Sequence, residues 1–114
     1  MYRKLIVWQK AYSLGISIYR NTQNFPREEI YGITSQMRRA ATSIAANIAE
    51  GNTRESSKEY RQFLSIARGS ASELETWLMF SKDLNYLEEV QYQDLAQQLD
   101  VVKGLLYGLM KSLE

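Results

Sequence analysis

The sequence predicts an all-α chain: one domain, residues 1–114, folded as an antiparallel up-down four-helix bundle. Three observations lead there. Apolar residues recur at alternating steps of three and four in four separate stretches. A single proline, Pro26, and only six glycines leave little to interrupt long helices. The stretches are joined by short connections, which favour antiparallel neighbours. A chain of 114 residues buries roughly 65% of its unfolded surface, enough for one core. With 45% apolar and 24% charged residues, its composition is that of a globular and not a disordered protein.

The first helix is expected over Leu5–Gln23. Val7, Ala11, Leu14 and Ile18 share one face, widened by Trp8, Tyr12 and Tyr19. Asn21, Thr22, Asn24 and Pro26 end it, because the residue before a proline avoids helical backbone. The second helix is expected over Arg27–Glu50, with Pro26 in its first turn and Glu28 and Glu29 at the positive end of its dipole. Its apolar stripe is Ile33, Met37, Ala40 or Ala41, Ile44 and Ile48. Gly32 is expected to bend the first turn, and Gly51 to end the helix in a left-handed conformation.

The third helix, Ser56–Leu84, opens on Ser56-x-x-Glu59, a capping-box pattern in which each side chain satisfies the other's free amide. Tyr60, Phe63, Leu64, Ala67, Ala71, Leu74 and Leu78 form its core face. Asn85, Tyr86 and Leu87 make a short connection. The fourth helix, Glu88–Leu113, carries the clearest pattern: Tyr92, Leu95, Leu99, Val102, Leu106, Leu109 and Leu113 alternate steps of three and four without a miss.

Composition narrows the chemistry. With no cysteine there is no disulfide frame and no thiolate metal site. With no histidine, the commonest general base and the Glu-x-x-His pairs of di-iron bundles are also excluded. Glu73 and Glu75 are two apart and point to different faces, while Asp94 and Asp100 stand unpaired. No catalytic set, metal site or cofactor is expected, and hence no enzyme. No apolar run approaches the roughly 20 residues that span a bilayer, and polar Gln9 and Lys10 cut short the apolar stretch near the N-terminus. The expectation is a cytoplasmic protein with no membrane partner.

The net charge of +1 conceals a split. Residues 1–70 sum to +6 and residues 71–114 to −5. Such a split suits a polyanion-binding half, self-association of unlike surfaces, or pairing of basic against acidic helices within one bundle. Arg54, Lys58, Arg61, Ser65 and Arg68 form a basic stripe on the third helix, roughly 120° round from its core face. A row of this kind suits phosphate contacts but reads no bases; its plain alternative is a solvated face with intrahelical pairs such as Glu55–Lys58. On the second helix, Arg38 and Arg39 cannot both face the core, and Asn47 and Glu50 are expected to hydrogen-bond to Arg39, Ser70 or a neighbouring helix end. Leu105, Tyr107 and Met110 lie off the core stripe of the fourth helix, where Gly104 and Gly108 permit a close helix approach, and Trp77 lies off that of the third. This extra apolar surface points to self-association.

Several segments resemble a known bacterial family. They are Val7-Trp8-Gln9-Lys10-Ala11, Phe25-Pro26, the run from Tyr31 to Ala40, Ser43-Ile44, Asn47-Ile48-Ala49-Glu50-Gly51, Phe63-Leu64, Ala67-Arg68-Gly69-Ser70 and Glu73-Leu74-Glu75. They are similar to the four-helix bundle proteins encoded in intervening sequences of bacterial 23S ribosomal RNA genes, over nearly the whole chain. The resemblance implies a four-helix bundle, a ring-like homopentamer and no established enzymatic activity. A related branch, the accessory variability proteins of diversity-generating retroelements, forms positively charged pentameric barrels that bind nucleic acid and a reverse transcriptase. By resemblance, Arg38, Arg39, Arg54 and Arg68 are polyanion contacts or structural arginines. Trp77 stands where a polar residue is usual, and Asn85 where glycine is common.

The expectation is therefore a homo-oligomeric module that binds RNA, DNA or a ribonucleoprotein through basic surface on helices two and three, without catalysis. The candidate contacts are Arg38, Arg39, Arg54, Lys58, Arg61 and Arg68. The alternative is an assembly or adaptor protein that binds another protein and has no nucleic-acid affinity.

Overall fold

A computed structural model describes all residues, 1–114. It contains four α-helices and no strand: α1 Ile6–Asn21, α2 Ile33–Asn52, α3 Ser57–Asp83 and α4 Glu89–Ser112. Short 3-10 turns at Tyr2–Lys4 and Arg27–Glu29 precede α1 and α2. Each helix packs on the next in the chain, and α4 closes back on α1, so that α1 and α3 sit diagonally, as do α2 and α4. The bundle measures 43 × 24 × 20 Å. Its long axis matches the 27 residues of α3 at about 1.5 Å each.

The core follows the expected stripes. Val7, Ala11, Leu14 and Ile18 meet Met37, Ile44, Ile48, Leu64, Leu74, Leu78, Leu95, Leu99, Val102 and Leu106, all buried. Tyr60, Phe63, Tyr92, Leu109 and Leu113, at the helix ends, are half-buried. The closest-packed pair is α2 with α3. Buried Ala40, Ala41, Ala67 and Ala71 let these backbones draw together. Tyr12 and Tyr19 do not widen the core face as expected; both rings are exposed.

Three local expectations are corrected. The second helix does not begin at Arg27. Residues 27–29 form a separate turn, Gly32 is the N-cap, and the helix starts at Ile33. The Glu29 carboxylate explains the break: its Oε1 accepts the free Ile33 N–H at 3.4 Å, and its Oε2 accepts the Tyr86 hydroxyl at 2.8 Å. Gly32 makes room for it, since a Cβ there would lie 2.6 Å from Glu29 Oε1. Gly51 does not end α2 with a positive φ; it lies within the helix. Its role is close approach, because a Cβ would meet Phe63 Cβ at 2.9 Å and the Tyr60 ring at 3.0 Å.

At Ser56 the expected reciprocal box is half made. Ser56 Oγ accepts the Glu59 N–H at 3.1 Å, but Glu59 receives the serine hydroxyl instead of reaching the Ser56 amide. The fuller return contact is at α4, where Gln91 Oε1 accepts the Glu88 N–H at 2.9 Å. The α3–α4 turn is a Schellman closure. Tyr86 N–H donates to Ser81 O, Asn85 N–H donates to Lys82 O, and Asn85 takes the left-handed backbone with φ 63°. That conformation gives the physical reason why a glycine suits this position.

Candidate nucleic-acid interface

The six candidate basic residues do not form one patch. Arg38 and Arg39 sit in the first half of α2, whereas Arg54, Lys58 and Arg61 lie at the opposite end of the bundle, where the α2–α3 turn runs. At about 1.5 Å per residue the two groups are roughly 20 Å apart along the axis.

Arg38 is built into the fold. Its Nε donates to buried Thr22 Oγ1 at 2.9 Å, its Nη2 reaches Tyr19 O at 3.4 Å, and its guanidinium lies 4.6 Å from the Tyr19 ring centroid. Thr22 in turn donates to Ile18 O at 2.8 Å, so one hydroxyl joins the end of α1 to α2. Arg54 is likewise engaged, pairing with Glu50 at 3.1 Å and lying over Phe63 at 4.7 Å. The pair is exposed, and such pairs add little stability.

Arg39, Lys58, Arg61 and Arg68 pair with no acid. The intrahelical Glu55–Lys58 pair does not form. Lys58, Arg61 and Ser65 instead edge a groove between the first half of α3 and the end of α4, together with Met110 and Glu114. There the Arg61 Nε is buried without a hydrogen-bond partner. An unpaired buried donor is costly. The same flank of α3 continues to Glu75, which takes Lys103 of α4 at 3.0 Å.

The polar network of α2 and α3 differs in part from expectation. Ser70 Oγ donates to Ser43 Oγ at 2.9 Å, and Asn47 Nδ2 donates to Ser43 O and Oγ at 2.8 and 3.0 Å. Glu50 accepts Thr53 and pairs with Arg54, while Arg39 takes no part. The segment Asn47-Ile48-Ala49-Glu50-Gly51 is thus largely occupied in closing the α2–α3 hairpin, with Ile48 in the core.

Pairing of basic against acidic helices within the bundle is confined to α3 and α4, through Lys103–Glu75 and Lys82–Glu89. The bases of α1 pair with no acid. Residues 1–52 hold seven bases against three acids, and residues 53–114 hold seven against ten. The stretch that carries α1 and α2 is therefore net basic and the stretch that carries α3 and α4 net acidic, although Lys58, Arg61 and Arg68 lie on α3.

Of the off-stripe apolar residues, Leu105, Met110 and Trp77 pack partly against the core, and Tyr107 stays exposed. Nothing in the chain approaches Gly104 or Gly108. Trp77 Nε1 donates to Glu73 at 3.3 Å, and its ring lies 5.8 Å from that of half-exposed Phe80. The stripe arguments placed Tyr19 on the core face and missed Tyr31; the two line a groove with Arg38 and Arg39. The available signal was Tyr31 itself, an aromatic with no position on the α2 stripe. No helix is long and apolar enough to cross a membrane.

No curated protein matches the sequence. Among solved structures, the chain is similar to a protein of unknown function from the S23 ribosomal protein family of Bacteroides thetaiotaomicron. The two are 27% identical with a TM-score of 0.84, over 93% of this chain and 99% of that one. A family model, the 23S rRNA-intervening sequence protein, matches residues 3–108. With four helices in the expected order and a match across nearly its full length, the chain belongs to the 23S rRNA-intervening sequence protein family.

Proposed function

We propose that the protein is a homo-oligomeric module, a pentamer by family resemblance, that binds RNA or a ribonucleoprotein through basic side chains on α2 and α3, without catalysis. The family's name associates it with 23S rRNA and supports an RNA-associated role. The observation that carries the reading is that, among the bases in no ion pair, Lys58, Arg61 and Arg68 follow one another along α3 and Arg39 lies on α2. Phosphates would neutralise them, and the binding would be electrostatic and indifferent to sequence. An oligomer would multiply the field of each subunit.

The test is RNA affinity across a salt series, with solution mass measured alongside, for the wild type and a Lys58→Ala, Arg61→Ala, Arg68→Ala variant. Each lost phosphate contact lowers the log–log salt slope by roughly 0.7 on single strands. A wild type that binds no RNA in a salt-dependent way ends the proposal, and a monomeric mass ends its oligomeric part. A second reading, an adaptor that binds another protein, draws support from exposed Phe80 and Leu84 on the same flank as Trp77. It expects a specific protein partner retained after nuclease treatment and no RNA affinity.

A further inference from the structure

The groove between the end of α1 and the start of α2 has a composition different from the rest of the surface. Tyr19, Tyr31, Arg38, Arg39, Ser35 and Thr42 line it, and no acid does. A second groove, on the other side of Ile30, shares Arg38 and adds Arg27 and Gln23, again without an acid. Three arginines thus follow one track over this end of the bundle, and none of them is in an ion pair.

Tyr31 is the anomaly. It is 93% exposed, on the short segment between the Arg27–Glu29 turn and α2, and it contributes nothing to the core. A tyrosine ring ordinarily buries much of its large apolar area. Tyr19 is 44% exposed, with the Arg38 guanidinium over it. Tyr31 therefore offers an open stacking surface beside two fixed or free positive charges.

We infer that this groove takes a single-stranded RNA segment, with a base stacked on Tyr31 and the adjoining phosphate against Arg39 and Arg38. The inference rests on the RNA-binding reading above and names a surface for it that the α3 stripe does not include. The charged groups lining both grooves are all cationic donors, supplemented by hydroxyls and the Gln23 amide. A polyanion matches such a set, whereas a folded protein surface presents cations as well as acids. Aromatic rings beside arginines are also how single strands are held without regard to sequence. A duplex, with its bases stacked inside, gains nothing from Tyr31.

The experiment measures fluorescence anisotropy of a short labelled single-stranded RNA of mixed sequence, and of its duplex, across a salt series. The proteins are the full-length wild type, Tyr31→Ala, Tyr31→Phe and Arg39→Ala, with solution mass and melting temperature recorded for each. Loss of one stacked base weakens single-strand binding by about 5- to 150-fold in Tyr31→Ala, at unchanged salt slope. Tyr31→Phe keeps wild-type affinity, and Arg39→Ala lowers the slope by roughly 0.7. Duplex binding is the same in Tyr31→Ala as in wild type. The inference is overturned if Tyr31→Ala and Arg39→Ala bind single strands like wild type. Should the α3 triple variant still lose slope in that case, the RNA-binding reading survives and only this groove falls. If the wild type binds no RNA, both fall. If Tyr31→Ala changes the solution mass and leaves RNA affinity intact, the groove is a contact between copies and the inference is overturned.

Discussion

Thr22 shows how one hydroxyl decides the role of a charged neighbour. It is buried, bonds back to Ile18 O, and accepts the Arg38 Nε. Thr22→Val keeps the shape and leaves the guanidinium donor unmet, so stability should fall by about 1–3 kcal/mol in denaturant unfolding. A loss below about 0.5 kcal/mol would mean that water replaces the bond. Tyr86 carries a pH signature. The hydrogen bond it donates to Glu29 pushes its phenol above the ordinary tyrosine range, with desolvation and the charges of Glu29 and Glu28 adding to the effect. The fold therefore favours the protonated phenol. That contribution is complete below about pH 10, the unfolded value, and disappears as pH rises through the higher folded value. The stability gap between wild type and Tyr86→Phe should be constant from neutral pH to about pH 9 and close at higher pH. A gap that persists through tyrosine ionisation would contradict the assignment.

At the scale of elements, the glycines separate two physical roles. Gly51→Ala forces a methyl against Phe63 and Tyr60. Overpacking of about 1–3 kcal/mol outweighs the roughly 1 kcal/mol of helix propensity that alanine adds. Gly104→Ala meets open space and should raise stability by about 1 kcal/mol in the isolated subunit. Opposite signs in two thermal melts would verify both; equal signs would refute the packing role of Gly51. The helices themselves were legible because periodicity samples many residues at once, and every stripe residue assigned to α1 and α2 is buried. The start of α2 was not legible, because Glu29 caps Ile33 from across an intervening turn and is held there by Tyr86, 57 residues away. For the same reason sequence left Arg38 open between two roles. Only the fold brings Thr22 to its Nε. Arg39, Lys58, Arg61 and Arg68 were legible as a charge pattern, but their distribution over separate surfaces depends on which helices are neighbours.

For the whole molecule, the arrangement of charge and of hydrogen bonds is lopsided in different senses. The stretch that carries α1 and α2 is net basic and the stretch that carries α3 and α4 is net acidic. The side-chain bonds that join helices are concentrated at one end. There Arg38 meets Thr22, Gln91 donates to Asn21 at 3.0 Å, Tyr86 meets Glu29, and Ser81 donates to Met37 Sδ at 3.2 Å. At the other end, Asn52 donates to Tyr60 between α2 and α3, and Glu50 meets Arg54 four residues along the chain. The bundle is consequently clasped at one end and open at the other. Local unfolding is accordingly expected to begin at the chain termini and the outer turns of α1 and α4, with the clasp holding longest. In amide hydrogen exchange, protection should climb from both termini toward residues near Ile18, Met37 and Ser81. A partner gripping the open end would slow exchange most where the free subunit exchanges fastest.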